Sequence, residues 1–510
     1  FLADSADCKA IACVFEGIAH PQRLLQAGEI ARAAGKPVII YKVGTSEQGA
    51  AAAQSHTGSL TGSSAAYRAA LDRAGFVQVD NVEALLECTA FFAKAGRPSA
   101  PGVAVITASG GAGVIAADKA EKAGVPLPQP TDATRAVLVQ HIPDFGSVRN
   151  PCDATAQAMN DPEGLKACLN ALLADDQYGA LLFPQPIASP ILTARAELLS
   201  EAAQASGKPI CMVMTSGWSD GTGTADVERN PRVALFRSME RCFSALSAWH
   251  EREARLASRN SHALAVASTR VSAKSAAVQA RAILLETAGS NIVTERPAKA
   301  ILAAYGVPVV GEQLACSPEQ AVAAADTLGY PVALKVESPD IPHKTEAGVI
   351  RLDLNTPADV RAGYAEVMQN ARRIPGANVL GVLVQPMVAA GVEIIVGGRV
   401  DPLFGPLIVV GLGGVFVELL KDSSVAFAPV TVVEAREMLD RLKGQALLTG
   451  FRGAQPVDLG RLAEVISRIS ELISDHRSEF EELDVNPIIC SGSRIMAVDA
   501  LFVRSQRPET

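Results

Sequence analysis

A histidine set among small residues is the most informative chemical feature of this sequence. His56 stands in the run Ser55–Ser59, where its neighbours are serine, threonine and glycine. A reacting group can approach such an imidazole closely, and the glycine N–H groups, the hydroxyls and a helix beginning near Ser63 can hold an anion. The pattern suits a histidine that becomes phosphorylated. The alternative is a capping loop whose histidine only packs.

A second candidate site is a glycine-rich turn. The apolar run Gly102–Thr107 predicts a strand, and Gly110, Gly111 and Gly113 precede a helix predicted over Val114–Ala123. Free N–H groups and the positive end of a helix favour an anion at such a turn. The turn is neither a P-loop nor a complete dinucleotide motif. Close packing of helix on strand is the alternative explanation.

Nucleotide chemistry is indicated by the last third of the sequence. Lys335 lies inside the apolar strand predicted over Val332–Val336, and a phosphate oxygen is a suitable partner for its charge. The alternative is an edge-strand lysine that reaches solvent. Glu393, on a second predicted strand, is a candidate acceptor in a purine pocket, and Glu418, after a run of glycines, is a further candidate for nucleotide binding.

Oxygen ligands for a metal are indicated near the carboxyl terminus. Asp484 and Asn486 alternate along a predicted strand and so share a face. Asp499 lies in an apolar run that can pair beside that strand. Carboxylate and amide oxygens from two strands suit Mg²⁺ bridging nucleotide phosphates. The alternative is a solvated strand edge.

The elements that position these residues alternate between strand and helix in the first 250 residues. Such alternation predicts a parallel sheet with ligands at the carboxyl ends of its strands, where Glu16 and the His56 loop both fall. Residues 251–290 are rich in Ala, Ser and Arg and predict a linker, in part helical. Helices are predicted over Pro297–Tyr305 and Pro318–Leu328.

Composition restricts the function classes. A length of 510 residues predicts three or four domains, and 48% hydrophobic with 20% charged residues is ordinary for a soluble globular protein. The net charge of −8 argues against nucleic-acid binding. Nine scattered cysteines predict reduced thiols in a cytoplasmic protein, and no apolar run is long enough to span a membrane. The first residue is Phe1, so we expect a preceding segment.

Taken together, these residues resemble the NDP-forming acyl-CoA synthetases, the family of ADP-forming acetate–CoA ligases related to succinyl-CoA synthetase. The resemblance covers nearly the whole chain and involves separate motifs in the family order. The motifs are Phe15–Gly17, Ser55–Ser59 with Gly62, Thr107–Asp118, Asn150-Pro151 with Asp153, Lys335–Gly348, Gly411–Asp422, Gly450–Gly453 with Asp458, and Asp484–Pro487 with Asp499.

The resemblance implies an α/β fold with two flavodoxin-like domains of the succinyl-CoA-synthetase type, over residues 1–99 and 100–250. After the linker at 251–290, it implies an ATP-grasp module over 291–510. In the first domain the resemblance makes His56 the phosphorylated residue and Glu16 the support of its imidazole. The turn at Gly110–Gly113 then opens a helix toward the phosphohistidine.

In the ATP-grasp module the resemblance places Lys335 on the nucleotide phosphates and Asn486 and Asp499 on magnesium. His343 matches a second histidine that relays phosphate between distant sites; a static phosphate ligand is the alternative. The implied substrates are ATP, CoA and a small carboxylic acid, with Mg²⁺ as cofactor.

The resemblance also implies partners. The family usually begins with a CoA-binding domain that nothing in this sequence matches, so we expect such a domain or subunit outside this chain, and a homo-oligomer. Two other functions stay open: another ATP-grasp carboxylate ligase, and a nucleotide- or acyl-CoA-sensing module without turnover. The complete set of Glu16, His56, Lys335, Asn486 and Asp499 favours the enzyme.

Overall fold

The computed structural model describes most of the chain, and the residues divide into two compact units. The first unit contains residues 1–64 and 71–267, and the second contains 65–70 and 268–510. The described residues are 1–18, 20, 22–46, 48, 64–217, 219–263, 270–287, 290–413, 422–453 and 455–505.

Parallel strands form the sheets in the first half of the chain. A three-stranded sheet has the order β1-β2-β3, and a five-stranded sheet has the order β5-β4-β6-β7-β8. The strands are β1 Ile11–Phe15, β2 Val38–Lys42, β3 Val77–Val79, β4 Gly102–Thr107, β5 Cys152–Asp153, β6 Tyr178–Gln185, β7 Ile210–Met214 and β8 Val233–Phe236. All residues of β4, β6, β7 and β8 are buried, as in a parallel sheet covered on both faces.

Helices connect these strands. They are α1 Gln22–Ala33, α2 Ser64–Ala74, α3 Val82–Ala95, α4 Gly110–Ala123, α5 Asp132–His141, α6 Thr155–Met159, α7 Pro162–Ala174, α8 Ile191–Ser206, α9 Thr224–Arg229 and α10 Met239–Ala263. One hydrophobic core joins both sheets of this unit: Ile39 and Val77 of the smaller sheet pack in the same cluster as Val103 and Val105 of the larger one.

Antiparallel sheets form the second unit. A four-stranded sheet has the order β10-β13-β11-β12, and a seven-stranded sheet has the order β16-β15-β14-β17-β19-β9, with β18 beside β17. The strands are β9 Ile292–Val293, β10 Gln313–Ala315, β11 Val332–Glu337, β12 Ile350–Leu354, β13 Gly381–Pro386, β14 Val392–Asp401, β15 Gly405–Leu412, β16 Ser423–Phe427, β17 Phe480–Ser491, β18 Arg494–Ala497 and β19 Ala500–Arg504.

The helices of the second unit cover these sheets. They are α11 Ala276–Glu286, α12 Glu295–Ala304, α13 Pro318–Leu328, α14 Pro357–Ala371, α15 Val432–Asp440 and α16 Leu459–Asp475, with short 3₁₀ turns at Gln445–Leu447 and Phe451–Gly453. Most of the range predicted as a linker is helical. Ala276, Ala280 and Leu284 of α11 belong to the core of the second unit, and the division between the units falls after residue 267.

Two helices begin earlier in the structure than the sequence predicts. Helix α4 begins at Gly110 rather than Val114, and α12 begins at Glu295 rather than Pro297. Glycine has a poor helix propensity, but the first turn can contain it, and proline is tolerated throughout a first turn, where its missing N–H has no helical partner. The first correction places the candidate Gly110 at the start of α4, and the second places Glu295 at the start of α12. In the described residues no helix combines the length and the apolar character that crossing a membrane requires.

A buried carboxylate ties α5 to the end of α7 and supports a pH prediction. Asp175 is 5% exposed and accepts hydrogen bonds from Thr131 N (2.9 Å), Thr131 Oγ1 (2.9 Å), Thr134 Oγ1 (2.8 Å) and Gln177 N (3.1 Å). Burial acts to raise the pKa of Asp175, but these hydrogen bonds outweigh it and hold the pKa below its usual value.

We therefore expect Asp175→Ala to lower the free energy of unfolding by about 2–3 kcal/mol at neutral pH. Because the folded-state pKa is depressed, this stabilisation is present above the unfolded-state pKa and is lost as the pH falls through the folded-state value. Urea denaturation of both proteins between pH 7 and pH 3 measures the difference. The exposed neighbour Asp176 provides the control, and an equal loss in Asp176→Ala would contradict the assignment.

Candidate functional site

A buried cluster of charged side chains in the second unit surrounds Lys335. Its strand, β11, is paired on both sides, by β12 and β13, and Lys335 is 4% exposed. The edge-strand explanation for this lysine is therefore wrong. Its Nζ donates to Glu295 Oε1 (2.9 Å), to the Val498 carbonyl oxygen (3.2 Å) and to Asp499 Oδ2 (3.3 Å). An ammonium group at this position needs carboxylate partners, because an unpaired buried charge is costly.

A second lysine shares the same carboxylates. Lys344 Nζ lies 2.6 Å from Glu295 Oε2 and 3.0 Å from each carboxylate oxygen of Asp499. Its burial alone would lower its pKa, but Glu295 and Asp499 outweigh burial and raise the pKa of the ammonium group. Two neighbouring ammonium groups are suited to bind the oxygens of a polyphosphate.

The two carboxylates respond differently to these lysines. Burial acts to raise the pKa of Glu295, yet Lys335, Lys344 and Lys299 together hold it well below the usual value. Asp499 has a raised pKa, since burial and the nearby Glu295 charge outweigh the two lysines beside it. Glu295 is thus the firmly ionised member of the pair.

Local structure fixes Glu295 at the start of α12. Glu337, at the end of β11, accepts hydrogen bonds from Thr294 Oγ1 (2.9 Å) and from Arg296 N (3.3 Å). This carboxylate satisfies donors at the N-terminus of the helix, where negative charge is favourable. The side chain of Glu295 points into the cluster, where Gln385 also donates to it.

The predicted metal ligands lie beside this cluster. Asp484 and Asn486 are on one face of β17, whereas the alternate residues Leu483 and Val485 are buried. Asp499 precedes β19, and its carbonyl accepts from Asn486 N at 3.2 Å. Burial raises the pKa of Asp484 to about 6; hydrogen bonding to Asn486 opposes this, and the charges of Glu482 and Asp499 add to it.

This donor set fits magnesium. The described residues include no group of three or more His, Cys, Asp or Glu side chains arranged around a metal position. Mg²⁺ does not need one, because it takes one or two carboxylates together with waters and substrate phosphates. A bound cation would also offset the charges of Glu482 and Asp499, which add to the effect of burial on the pKa of Asp484.

Three other candidates of the second unit were His343, Glu393 and Glu418. His343 is exposed and precedes the buried Lys344 in the same loop. Glu393 has an exposed side chain on β14, and its carbonyl accepts from Gly413 N at 2.6 Å. A Cβ at Gly413 would lie 2.7 Å from that of Glu393, so this approach requires glycine. Glu418 lies outside the described residues.

In the first unit the structure places three candidates at the carboxyl ends of parallel strands. Glu16 directly follows β1, and its carbonyl accepts from Lys42 Nζ at 2.5 Å. Gly110 and Gly111 are exposed in the first turn of α4, and within the described part of the chain no side-chain hydrogen bond caps this helix. Gly113 is buried, and a Cβ there would lie 3.3 Å from Pro151 Cβ, so close packing accounts for it. His56 lies outside the described residues.

Sequence reasoning missed several members of the cluster. Lys344 follows His343 directly, and its position in a polar loop gave no sign that it is buried. Glu295 and Lys299 are one helical turn apart, on the face of α12 that also carries the buried Ala298 and Leu302. Charges at that spacing on an apolar face were the available signal. It was overlooked because the helix was predicted to begin at Pro297.

Comparison with known proteins matches both units. A family described as the succinyl-CoA ligase-like flavodoxin domain matches residues 1–92, and one described as the ATP-grasp domain matches residues 285–503. These matches confirm the predicted α/β fold, in which a flavodoxin-like domain precedes an ATP-grasp domain. The exact boundaries at 99, 250 and 290 stay predictions.

Long relatives match nearly the whole chain. The 4-hydroxybutyrate–CoA ligase (ADP-forming) of Nitrosopumilus maritimus is 32% identical over 98% of this chain and 71% of its own length. The acetate–CoA ligase (ADP-forming) I of Archaeoglobus fulgidus is 34% identical over 99% of this chain and 71% of its own length. The beta subunit of acetate–CoA ligase (ADP-forming) I of Pyrococcus furiosus is 39% identical over 44% of this chain and 97% of its own length. The chain therefore belongs to the family of ADP-forming acid–CoA ligases.

Proposed function

We propose that this chain carries out the reaction ATP + carboxylic acid + CoA ⇌ ADP + phosphate + acyl-CoA through a phosphohistidine at His56. The observation that carries the proposal is the pairing of Lys335 and Lys344 beside Asp499, because it brings two buried ammonium groups next to oxygen ligands suited to Mg²⁺. Membership of the ADP-forming ligase family supports the same reaction.

The first covalent step moves the γ-phosphoryl group. A ring nitrogen of neutral His56 attacks the γ-phosphorus, and the bond from that phosphorus to the bridging oxygen breaks to release ADP. Lys335 and Lys344 bind phosphate oxygens and offset the charge that develops on them. Asp499 and Asn486 would hold Mg²⁺, which when bound neutralises phosphate charge. Glu16 would orient the imidazole and stabilise its cationic phosphorylated form.

Two further steps complete the reaction. A carboxylate oxygen of the acid attacks the phosphorus of the phosphohistidine, the P–N bond breaks, and an acyl phosphate forms. The thiolate of CoA then attacks the acyl carbon, and phosphate leaves with the electron pair of the C–O bond. The N–H groups of the exposed residues Gly110 and Gly111 would bind the phosphoryl oxygens in these steps. His343 would either relay the phosphoryl group or only bind it.

Partners follow from the relatives. This chain spans 71% of the two long relatives, and the Pyrococcus furiosus ligase has a separate beta subunit, so we propose that a domain or subunit outside these 510 residues contributes to binding CoA. Self-association and a cytoplasmic location stay predictions from the sequence.

Release of ADP with a panel of carboxylic acids tests the proposal. We expect release that depends on the acid, and acyl hydroxamate when hydroxylamine replaces CoA, because hydroxylamine traps an acyl phosphate. Binding of ATP without release under any of these conditions would identify a sensing module. Acid-dependent release that persists in His56→Ala would identify a carboxylate ligase that activates its acid directly.

A further inference from the structure

The charged cluster around Lys335 is larger than the nucleotide chemistry alone explains. Three ammonium groups and three carboxylates meet in it, and their formal charges cancel. The three lysines and Glu295 are buried, and the side chains of Glu312 and Asp499 are 8% and 21% exposed. The members are Lys299, Lys335, Lys344, Glu295, Glu312 and Asp499.

Glu295 connects this cluster. Its Oε1 accepts from Lys299 at 3.1 Å and from Lys335 at 2.9 Å, and its Oε2 accepts from Lys344 at 2.6 Å. It is 1% exposed, and Gln385 donates both to it and to Glu312. A carboxylate held by four donors has lost most of its freedom to move before any ligand arrives.

Asp499 shares these two lysines with Glu295 but is more accessible to solvent. It contacts Lys335 and Lys344 as Glu295 does, but its side chain is 21% exposed, whereas that of Glu295 is fully buried. Phosphate oxygens that approach the two ammonium groups must replace one of these carboxylates as partner. The partly exposed one, which is also a predicted metal ligand, is the one that can turn away.

We infer that Glu295 is a positioning residue that keeps the ammonium groups of Lys335 and Lys344 together for the nucleotide phosphates, and that Asp499 is the partner these lysines give up. This inference rests on the nucleotide site of the proposed function. Glu295 itself need not touch the nucleotide. It acts through the two lysines.

Glu295→Gln is expected to change phosphate binding in the direction opposite to the usual electrostatic effect. Removing a negative charge near a phosphate site normally strengthens phosphate binding, because repulsion decreases. Asp499→Asn should therefore strengthen the binding of metal-free ADP, and it also releases both lysines to bind the phosphates. Glu295→Gln removes the same charge, but it leaves the lysines without their common anchor and paired with Asp499 alone, so binding should weaken.

Calorimetric titration with ADP in EDTA measures both effects. We expect Glu295→Gln to weaken ADP binding about tenfold, equivalent to the loss of one charge-assisted hydrogen bond, and Asp499→Asn to strengthen it. Glu312→Gln is the matched control. It neutralises a carboxylate of the same cluster that pairs with Lys299 but with neither phosphate-binding lysine, so its ADP affinity should stay within about twofold of that of the unmodified chain.

The ADP affinities of these variants decide whether Glu295 positions the two lysines. Glu295→Gln binding ADP as tightly as the unmodified chain, or more tightly, would overturn the inference, as would equal weakening in Glu312→Gln. Thermal unfolding checks that the variants fold. If Glu295→Gln does not fold, Glu295→Asp takes its place, because the shorter side chain keeps the charge but moves it away from the lysines. Weaker ADP binding by Glu295→Asp supports the inference, and unchanged ADP binding overturns it. If the unmodified chain binds no nucleotide at all, the proposed function fails first.

Discussion

Incubation with γ-labelled ATP and Mg²⁺ is expected to label this protein covalently, and His56→Ala is expected to reduce the label to background. The label should be labile in acid and stable in base, as a phosphoramidate is and a phosphoserine is not. The sequence places His56 among small residues, and a neutral imidazole offers a ring nitrogen whose lone pair can attack phosphorus at neutral pH.

Two other histidines make this experiment specific. His20 is exposed and serves as the matched control, so His20→Ala should label like the unmodified chain. His343→Ala separates two roles for the exposed histidine beside Lys344: a relay would make labelling of His56 much slower, whereas a static ligand would mainly weaken ATP binding. Label that persists in His56→Ala would refute the central assignment.

Much of the architecture could be predicted because it depends on local patterns. The continuous apolar run of β4 is visible in sequence, and this strand has its predicted bounds. Gly96, which follows α3, has φ of 65°, a positive value that favours glycine at the end of a helix. Periodicity and helix-ending signals are properties of neighbouring residues, so they can be recognised without tertiary contacts.

The site could be predicted only in part because it is assembled from distant segments. Lys335 and Asp499 were each conspicuous, since each places a charge in an apolar run, and the structure brings them within 3.3 Å of each other. Glu295, the carboxylate that joins them to Lys344, was not conspicuous in the sequence. Glu295 lies 40 residues before Lys335 and 49 before Lys344, and such contacts have no signature in a single sequence.

Replacing Lys335 by alanine is expected to weaken binding of MgATP about tenfold to a hundredfold, because a charge-assisted hydrogen bond to a phosphate contributes about 1.5–3 kcal/mol. His56→Ala should change this affinity far less, since the proposed role of His56 is to accept the γ-phosphoryl group and not to bind the nucleotide. Titration of the two variants with a non-hydrolysable ATP analogue in the presence of Mg²⁺ measures the difference.

The structure adds a condition to this experiment. Lys335→Ala removes one cation from a cluster whose charges cancel, so Glu295 is left with Lys344 and Lys299, and Asp499 is left with Lys344. Thermal unfolding of the variant therefore belongs beside the titration. A folded variant that binds the analogue weakly places Lys335 on the phosphates, because lost stability alone would not change the affinity of the folded population. Equal affinities in Lys335→Ala and His56→Ala would show that β11 does not line the nucleotide site, and the ATP-grasp assignment of Lys335 would have to be abandoned.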